Sequence, residues 1–331
     1  MGGDIVITSP KEWPFALCYL TGSKDFAPGL RGHALSRGYT LNEHRLENTT
    51  TGEHVEGITT EEELFAFLGI PFVPPECRRT REDAGRNFND ILNEMPEGEL
   101  HTHTAEWSDG TQSVVAAIAT AKMKNYTFYG ISDHTKALPH GVAANQLAEY
   151  AQGIHDAGAE FSIDTCVGIE LDINAAHQIV YPYESLKPNM DYVILAIHSA
   201  IGTNMVSRYL AAIDQIKDIP AILAHVTGRL FGARDIPEAD WATLFMQCAK
   251  KNILIELNGQ PDRLDPPVDL IHLARSFGCR FILSTDNHGG DTTSILRDAW
   301  YMARAAGLTR EAVVLTGEDV AQWIQDVMEI S

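Results

Sequence analysis

The chain is poor in positive charge. Its 331 residues carry 25 Lys and Arg against 45 Asp and Glu, a formal charge of −20. A surface of that sign repels nucleic acid and anionic membranes over most of its area, so a polyanionic ligand would need a local positive spot from clustered Arg or from metal ions. There is no run of about 18 apolar residues, which excludes a membrane-spanning helix. Met1-Gly2-Gly3-Asp4 lacks a basic stretch followed by an apolar one, so no secretory leader is expected. Cysteine is scarce: Cys18, Cys77, Cys166, Cys248 and Cys279 are far apart and never form a C-x-x-C pair. That argues against a disulfide framework and against a cysteine zinc site, and it points to the reducing cytoplasm. What is present is ordinary globular material, 44% hydrophobic and 21% charged, enough for one large domain or a large one with a small one. Nothing in it fixes an oligomeric state.

The pattern changes near residue 95. Before it the chain is turn-rich, as in Thr49-Thr50-Thr51-Gly52 and Pro71-Phe72-Val73-Pro74-Pro75. One short helix is signalled there, by Thr60 and Glu63 at capping-box spacing ahead of Leu64, Phe65, Phe67 and Leu68, with Gly69 to close it. The charged stretch Arg78 to Asp90 reads as a helix or a linker. After residue 95, short apolar runs alternate with helical stretches. The runs are Glu99–His103, Thr127–Ser132, Cys166–Glu170, Tyr192–His198, Ala221–His225, Ile253–Asn258 and Arg280–Asp286. Such alternation implies parallel strands joined by crossovers, in a closed or nearly closed β/α barrel or an open doubly wound sheet. The predicted domains are 1–95 and 96–331.

The ends of these runs carry the chemistry. The first closes on His101-Thr102-His103 and the second leads into Asp133-His134. The third closes on Glu170, the fourth on His198, the fifth on His225 and the seventh on Asp286-Asn287-His288. Ligand-binding groups gather at the carboxyl ends of strands in parallel β/α architectures. His101 and His103 are two residues apart, so on a strand both point to one face and can share an ion. Asp109 follows in the loop Trp107-Ser108-Asp109-Gly110. A single histidine is ordinarily a satisfied core or surface residue, and that reading is kept for His33, His44, His54, His140, His155, His177 and His272. It does not account for six imidazoles and three carboxylates at equivalent strand ends. The mixed nitrogen and oxygen set suits Zn, Mn or Fe. Nine donors exceed the needs of one ion, so two or three ions are expected, with Glu170 as the bridge.

Bound divalent ions lower the pKa of water and clamp the attacking and leaving oxygens of a phosphoryl transfer. They would also make the pocket locally positive on an acidic protein. Arg229, Arg234, Arg263 and Lys136 follow the fifth, sixth and second runs on loops, where they would meet a phosphate. The plainer reading pairs them with Asp235 and Asp265. It is preferred for Lys136 and Arg234, while Arg229 and Arg263 are retained as candidate phosphate holders.

These motifs resemble the PHP (polymerase and histidinol phosphatase) family. The matching pieces are Leu100-His101-Thr102-His103-Thr104 with Ser108-Asp109-Gly110, Ser132-Asp133-His134-Thr135, Gly168-Ile169-Glu170 and His198. They continue with Ala224-His225, Thr227-Gly228-Arg229 and Ser284-Thr285-Asp286-Asn287-His288. The resemblance implies a distorted (β/α)7 barrel that holds a trinuclear Mn, Zn or Fe centre for phosphoester hydrolysis. It departs from the family at Glu99, usually Asp, and at Val226, often Pro; neither is an expected ligand. Ala175-Ala176-His177 replaces a Gly-containing turn, which would alter the pocket mouth. The ending Val314-Leu315-Thr316-Gly317-Glu318-Asp319 lacks the family's usual Asn.

Leu20-Thr21-Gly22-Ser23-Lys24, Leu30-Arg31-Gly32-His33-Ala34, Leu41-Asn42-Glu43 and Gly69-Ile70-Pro71-Phe72-Val73-Pro74-Pro75-Glu76 resemble the end of the palm and the thumb of bacterial family X DNA polymerases. Residues 1–95 would then be a partial palm and a small α+β thumb. Asp4 would match the last of three palm carboxylates, but the paired Asp-x-Asp that precedes it is absent. Nucleotidyl transfer needs two metals held by all three, so this chain alone is not expected to polymerise DNA.

The donor set points to metal-dependent phosphoester hydrolysis, and the resemblance to family X polymerases implies that it acts on DNA as a 3′–5′ exonuclease or 3′-phosphatase. His101, His103, Glu170 and Asp286 would hold one ion, His198 and His225 a second, and Asp109, His134 and His288 a third. Arg229 and Arg263 would steady the phosphate. The alternatives are a small-molecule phosphatase of the histidinol-phosphate type, and a non-catalytic accessory module whose thumb binds DNA.

Overall fold

The computed structural model describes residues 5–330, divided into two compact units between Leu92 and Asn93. Asp4, the palm-carboxylate candidate, lies outside the described residues.

The first unit holds helices α1 (Trp13–Thr21) and α2 (Phe26–Ser36), an antiparallel ribbon of β1 (Tyr39–Leu41) and β2 (Leu46–Asn48), and helix α3 (Glu61–Phe67). Helix α3 begins where the capping spacing predicts. Glu63 N donates to Thr60 Oγ1 and Thr60 N donates back to Glu63 Oε2, both at 3.2 Å. Gly69 then leaves the helix at φ +60, a conformation glycine adopts without a Cβ penalty. The core includes Phe15, Phe26, Leu30, Leu46, Leu64 and Phe65. The charged stretch from Arg78 is neither a long helix nor a free linker, because Arg78 is buried within this core. Its Nη1 donates to Glu61 Oε1 and Thr21 Oγ1, each at 2.6 Å, and its Nε to Val73 O at 2.9 Å.

The second unit alternates strands and helices as the sequence predicts. In chain order they are α4 (Val114–Met123), β3 (Phe128–Ile131), α5 (Leu147–Phe161), β4 (Asp164–Val167), β5 (Glu170–Asp172) and α6 (Tyr183–Leu186). Next come β6 (Val193–Ala196), α7 (Met205–Ile216), β7 (Ala221–Leu223), α8 (Trp241–Lys250) and β8 (Leu254–Asn258). The last are α9 (Val268–Ser276), β9 (Phe281–Ser284), α10 (Thr293–Ala305), β10 (Val313–Val314) and α11 (Gly317–Ile330). Strands β5 to β10 form a parallel sheet in sequential order, and β3 and β4 form a parallel pair.

Backbone bonds close these sheets into a distorted barrel. Residues 97–103 lie between β3 and the last strands: Gly130 N donates to Glu99 O (2.8 Å) and Ser132 N to Thr102 O (2.9 Å) on one side. On the other side His103 N donates to Asn287 O and Glu97 N to Leu315 O, both at 2.8 Å. Its bonds are thus shared among three neighbours, which is why the predicted run 99–103 is extended but not a regular strand. The run Cys166–Glu170 is likewise broken into β4 and β5. Glu170 N still reaches Asp133 O (3.0 Å), and Ile169 O still accepts from Ile194 N (2.9 Å). The interior below the site packs Leu100, Phe128, Tyr192, Ile194, Ile222 and Trp323. Glycine is required at 130 and 168, where a Cβ would collide with the Tyr192 side chain.

Candidate metal centre

Short parallel strands end together, so residues just past their carboxyl ends face a common space. Glu170, at the start of β5, is the middle of that space and is fully buried. Its Oε1 lies 3.2 Å from His198 Nε2 and 3.2 Å from His225 Nε2. Its Oε2 lies 2.8 Å from His134 Nδ1 and 3.5 Å from both His101 Nε2 and His103 Nε2. Asp286 Oδ1 closes the other side of the pair, 3.3 Å from His101 Nε2 and 3.2 Å from His103 Nε2. Asp109 Oδ1 is 3.2 Å from His288 Nε2 and 3.6 Å from His134 Nε2. All nine side chains singled out at the strand ends therefore come together.

The cluster grades from closed to open. The side chains of His101, His103 and Glu170 are at most 1% exposed, whereas His288 is 38% and Asp109 56% exposed. The cluster is thus open to solvent on the Asp109 and His288 side. Two of the nine residues hold left-handed backbone, His225 at φ +30 and Asp286 at φ +50. Non-glycine residues there are strained, and the surrounding pairing must impose it.

The electrostatics are those of facing acids and bases. Burial would raise the Glu170 carboxyl, yet the imidazoles of His134, His198 and His101 hold it well below its ordinary value. Asp286 is held down in the same way, against burial, by His101 and His103. Burial pulls on His101 too, but Glu256, Asp286 and Glu170 outweigh it and hold the imidazole well above the usual histidine value. His103 goes the other way: burial dominates and pushes it down to about 4.

The donor set fits divalent cations. Four groups of three or four donor atoms lie within 4.8 Å of one another. They are His101 with Glu170 and His225; His134 with Glu170 and His198; His101 with His103 and Asp286; and His103 with Asp109, His134 and His288. Among the described residues His101 Nε2 and Glu170 Oε2 are buried and make no hydrogen bond. Buried polar atoms without partners are costly, and donor atoms left so and aimed at one another suit a shared cation. The groups overlap differently from the partition read off strand order: His225 joins His101 and His198 joins His134, on either side of Glu170.

Sequence reading missed the residues that orient these donors. Glu256, inside β8, is fully buried with Oε1 2.6 Å from His101 Nδ1 and Oε2 accepting from His225 N at 2.6 Å. Asp172, at the end of β5, has Oδ1 3.2 Å from His198 Nδ1 and accepts His198 N at 3.1 Å. Asp133 accepts Thr104 N (2.6 Å) and Thr104 Oγ1 (2.8 Å), and burial pushes its carboxyl up to about 7. A carboxylate on a ligand's second ring nitrogen fixes tautomer and orientation. The available signal was position: Glu256 stands on the sixth run, two residues before its end, and Asp172 two residues after Glu170.

The cationic candidates sit on the loops that follow β3, β7 and β8. Gly228 N donates to His225 O (2.8 Å), and the loop continues into Arg229. The Arg229 guanidinium donates from Nε to Arg263 O (2.8 Å) and from Nη2 to Leu264 O. Buried Asp265 ties the same two loops, accepting Thr227 N (3.1 Å), Thr227 Oγ1 and Arg229 N (3.2 Å). Arg234 Nε donates to Gly228 O, and Arg263 is half-buried beside it. Lys136 is exposed. His33, kept as an ordinary residue, places Nε2 2.9 Å from Ala84 O in the first unit.

Comparison with known proteins agrees with this layout. Residues 16–79 match the DNA polymerase beta thumb and residues 99–260 the PHP domain. The DNA polymerase/3′–5′ exonuclease PolX of Bacillus subtilis is 32% identical over 293 residues, 86% of this chain and 51% of the relative. The chain thus spans about half the length of that protein. Human DNA-directed DNA/RNA polymerase mu is 36% identical over 76 residues, 23% of this chain and 15% of its own. Among solved structures, the histidinol phosphate phosphatase of Lactococcus lactis, complexed with zinc, L-histidinol and phosphate, aligns with TM-score 0.49 at 16% identity. That alignment covers 65% of this chain and 95% of that one. The chain therefore carries a thumb of the DNA polymerase beta type followed by a PHP domain, the domain of a metal-dependent phosphoesterase.

Proposed function

We propose that the chain hydrolyses phosphoesters at the 3′ ends of DNA, as a 3′–5′ exonuclease or 3′-phosphatase. The observation that carries this reading is the convergence of five imidazoles on the two oxygens of one buried carboxylate, Glu170. His101, His225 and Glu170 would hold one ion and His134, His198 and Glu170 a second. His103, Asp109 and His288 would hold a third, with Asp286 between His101 and His103. The ions, Mn, Zn or Fe, would supply an acidified water and neutralise the phosphoryl charge. Glu256 and Asp172 keep His101 and His198 turned toward Glu170. Arg229, anchored through Arg263 and Leu264, and Arg263 itself hold positive charge at the rim for the phosphate. The open Asp109 and His288 side admits the strand end.

DNA as the substrate is supported by the thumb and by the likeness to PolX over most of the chain. None of the five cysteines is in a disulfide, which fits a reducing compartment such as the cytoplasm. Among the described residues no helix is long and apolar enough to cross a membrane. The test is digestion of a 3′-labelled oligonucleotide with added Mn, beside a panel of small phosphomonoesters. Shortening of the DNA, lost in H103A and D286A, supports the reading. Turnover confined to soluble monoesters replaces DNA by a small ester of the histidinol-phosphate type. No hydrolysis by metal-loaded protein leaves an accessory module.

A further inference from the structure

One aromatic side chain stands in an unusual place. Among the described residues of the second unit, the strongly exposed aromatic rings are Phe231, Phe277 and Tyr301. Tyr301 lies on helix α10 and Phe277 ends helix α9, before β9 begins. Only Phe231 sits on a loop past the carboxyl end of a strand that delivers a donor, the β7 loop that follows His225, and it is 53% exposed. A ring of that size left in water forgoes the favourable burial that a ligand stacked on it would supply.

Its backbone is held firmly. Phe231 N donates to Asp262 O (2.7 Å), and Leu230 and Arg234 exchange backbone bonds at 2.9 and 2.8 Å around it. Gly232, at φ +76, makes the tip. Arg229, whose guanidinium is itself fixed to the 263–264 carbonyls, lies 4.6 Å from the centre of the Phe231 ring. The ring is therefore pre-positioned on a fixed cation, with Arg234 and Arg263 beside it, six residues after His225. A flat apolar face next to fixed positive charge is what a nucleotide unit offers partners for: a base to stack and a phosphodiester to neutralise. A small phosphomonoester without a base has no use for the ring.

We infer that Phe231 is a base-stacking platform, which holds a nucleobase within one or two nucleotides of the phosphoester seated at the metal centre. This rests on the proposed DNA reading and narrows it to substrates that carry a base near the scissile bond, without a requirement for sequence, since any base has a stacking face.

The test compares Mn-dependent hydrolysis of two single-stranded oligonucleotides, one normal and one abasic at its last two 3′ positions, by the wild-type chain, F231A and F231W. The wild type should favour the normal end by about tenfold in kcat/KM, carried by KM, as one stacking contact does. F231A should bring that preference close to one, and F231W should restore it. Manganese binding by F231A checks that the variant is folded. A wild type that cuts both ends equally, or an F231A that keeps the preference, overturns the inference and leaves the DNA reading standing. A wild type that hydrolyses monoesters and neither oligonucleotide overturns the DNA reading and this inference with it.

Discussion

Glu256→Gln changes one oxygen to an amide and nothing else in size, yet the structure assigns it a large effect on the metal centre. Glu256 Oε2 faces two donors, His225 N–H at 2.6 Å and Asn258 Nδ2 at 3.2 Å. Asn258 cannot turn round, because its Oδ1 already accepts Gln260 N at 3.0 Å. The glutamine must therefore place its oxygen on that side and its NH2 toward His101 Nδ1. That nitrogen must then accept, so the proton of a neutral imidazole moves to Nε2, the atom that faces Glu170 and Asp286. A protonated Nε2 has no lone pair for a cation. Loss of an orienting partner of this kind costs about 10- to 100-fold in metal affinity, or about 1.4–2.8 kcal/mol. Calorimetric titration of metal-free protein with Mn reads the loss directly, and urea unfolding of the same samples shows whether the variant remains folded. A folded E256Q that binds Mn as tightly as the parent refutes the orientation argument.

Other consequences are open to measurement. Arg78→Met leaves Glu61, 9% exposed at its side chain, without its 2.6 Å partner. Breaking such a pair costs about 3–5 kcal/mol, seen as a fall in the urea midpoint of the first unit's transition. Asp319, near the start of α11, is held below the ordinary carboxyl value: burial opposes this, and the amides of Leu315 and Thr316 with Arg310 outweigh it. A lowered folded value means stability present above about pH 4 and lost as pH falls through the folded pKa. D319N should accordingly be less stable than the parent at pH 7, with the gap closing in urea melts at pH 3. Chelation should lower the melting temperature and Mn restore it, since ions at 100 times their Kd add about 2.7 kcal/mol per site. A melting temperature indifferent to Mn would contradict a built site.

Much of this was legible in the chain because parallel strands end at one edge, so a motif at a strand end has a known address. Thr60 and Glu63 marked a helix start by local chemistry alone, and His101 and His103 marked a shared face by their spacing. The reading was weaker where tertiary context decides. Residues 99–103 have strand character, but their bonds go to three neighbours. Asn93–Glu99 belongs to the second unit by contact, although nothing in its composition separates it from the turn-rich stretch before Met95. Helix α10 buries Leu296, Ala299, Met302 and Ala303 among charged and polar residues, a stripe that the eye passes over. Glu256 was hidden because it looks like any charged residue in an apolar run. Only the barrel shows that its side chain turns inward under two imidazoles.

The closure of the barrel through residues 97–103 has a further consequence. His103 and Asp286 lie 3.2 Å apart across 183 positions of chain, on opposite sides of the seam where the ring is joined. A fragment that stops short of β9 lacks Asp286 and His288, and with them both donor groups that cross the seam, so cations held there would act as a clasp on the join. Once they are seated, prising the seam apart means releasing them first, and the escape of metal would become the gate through which the second unit unravels.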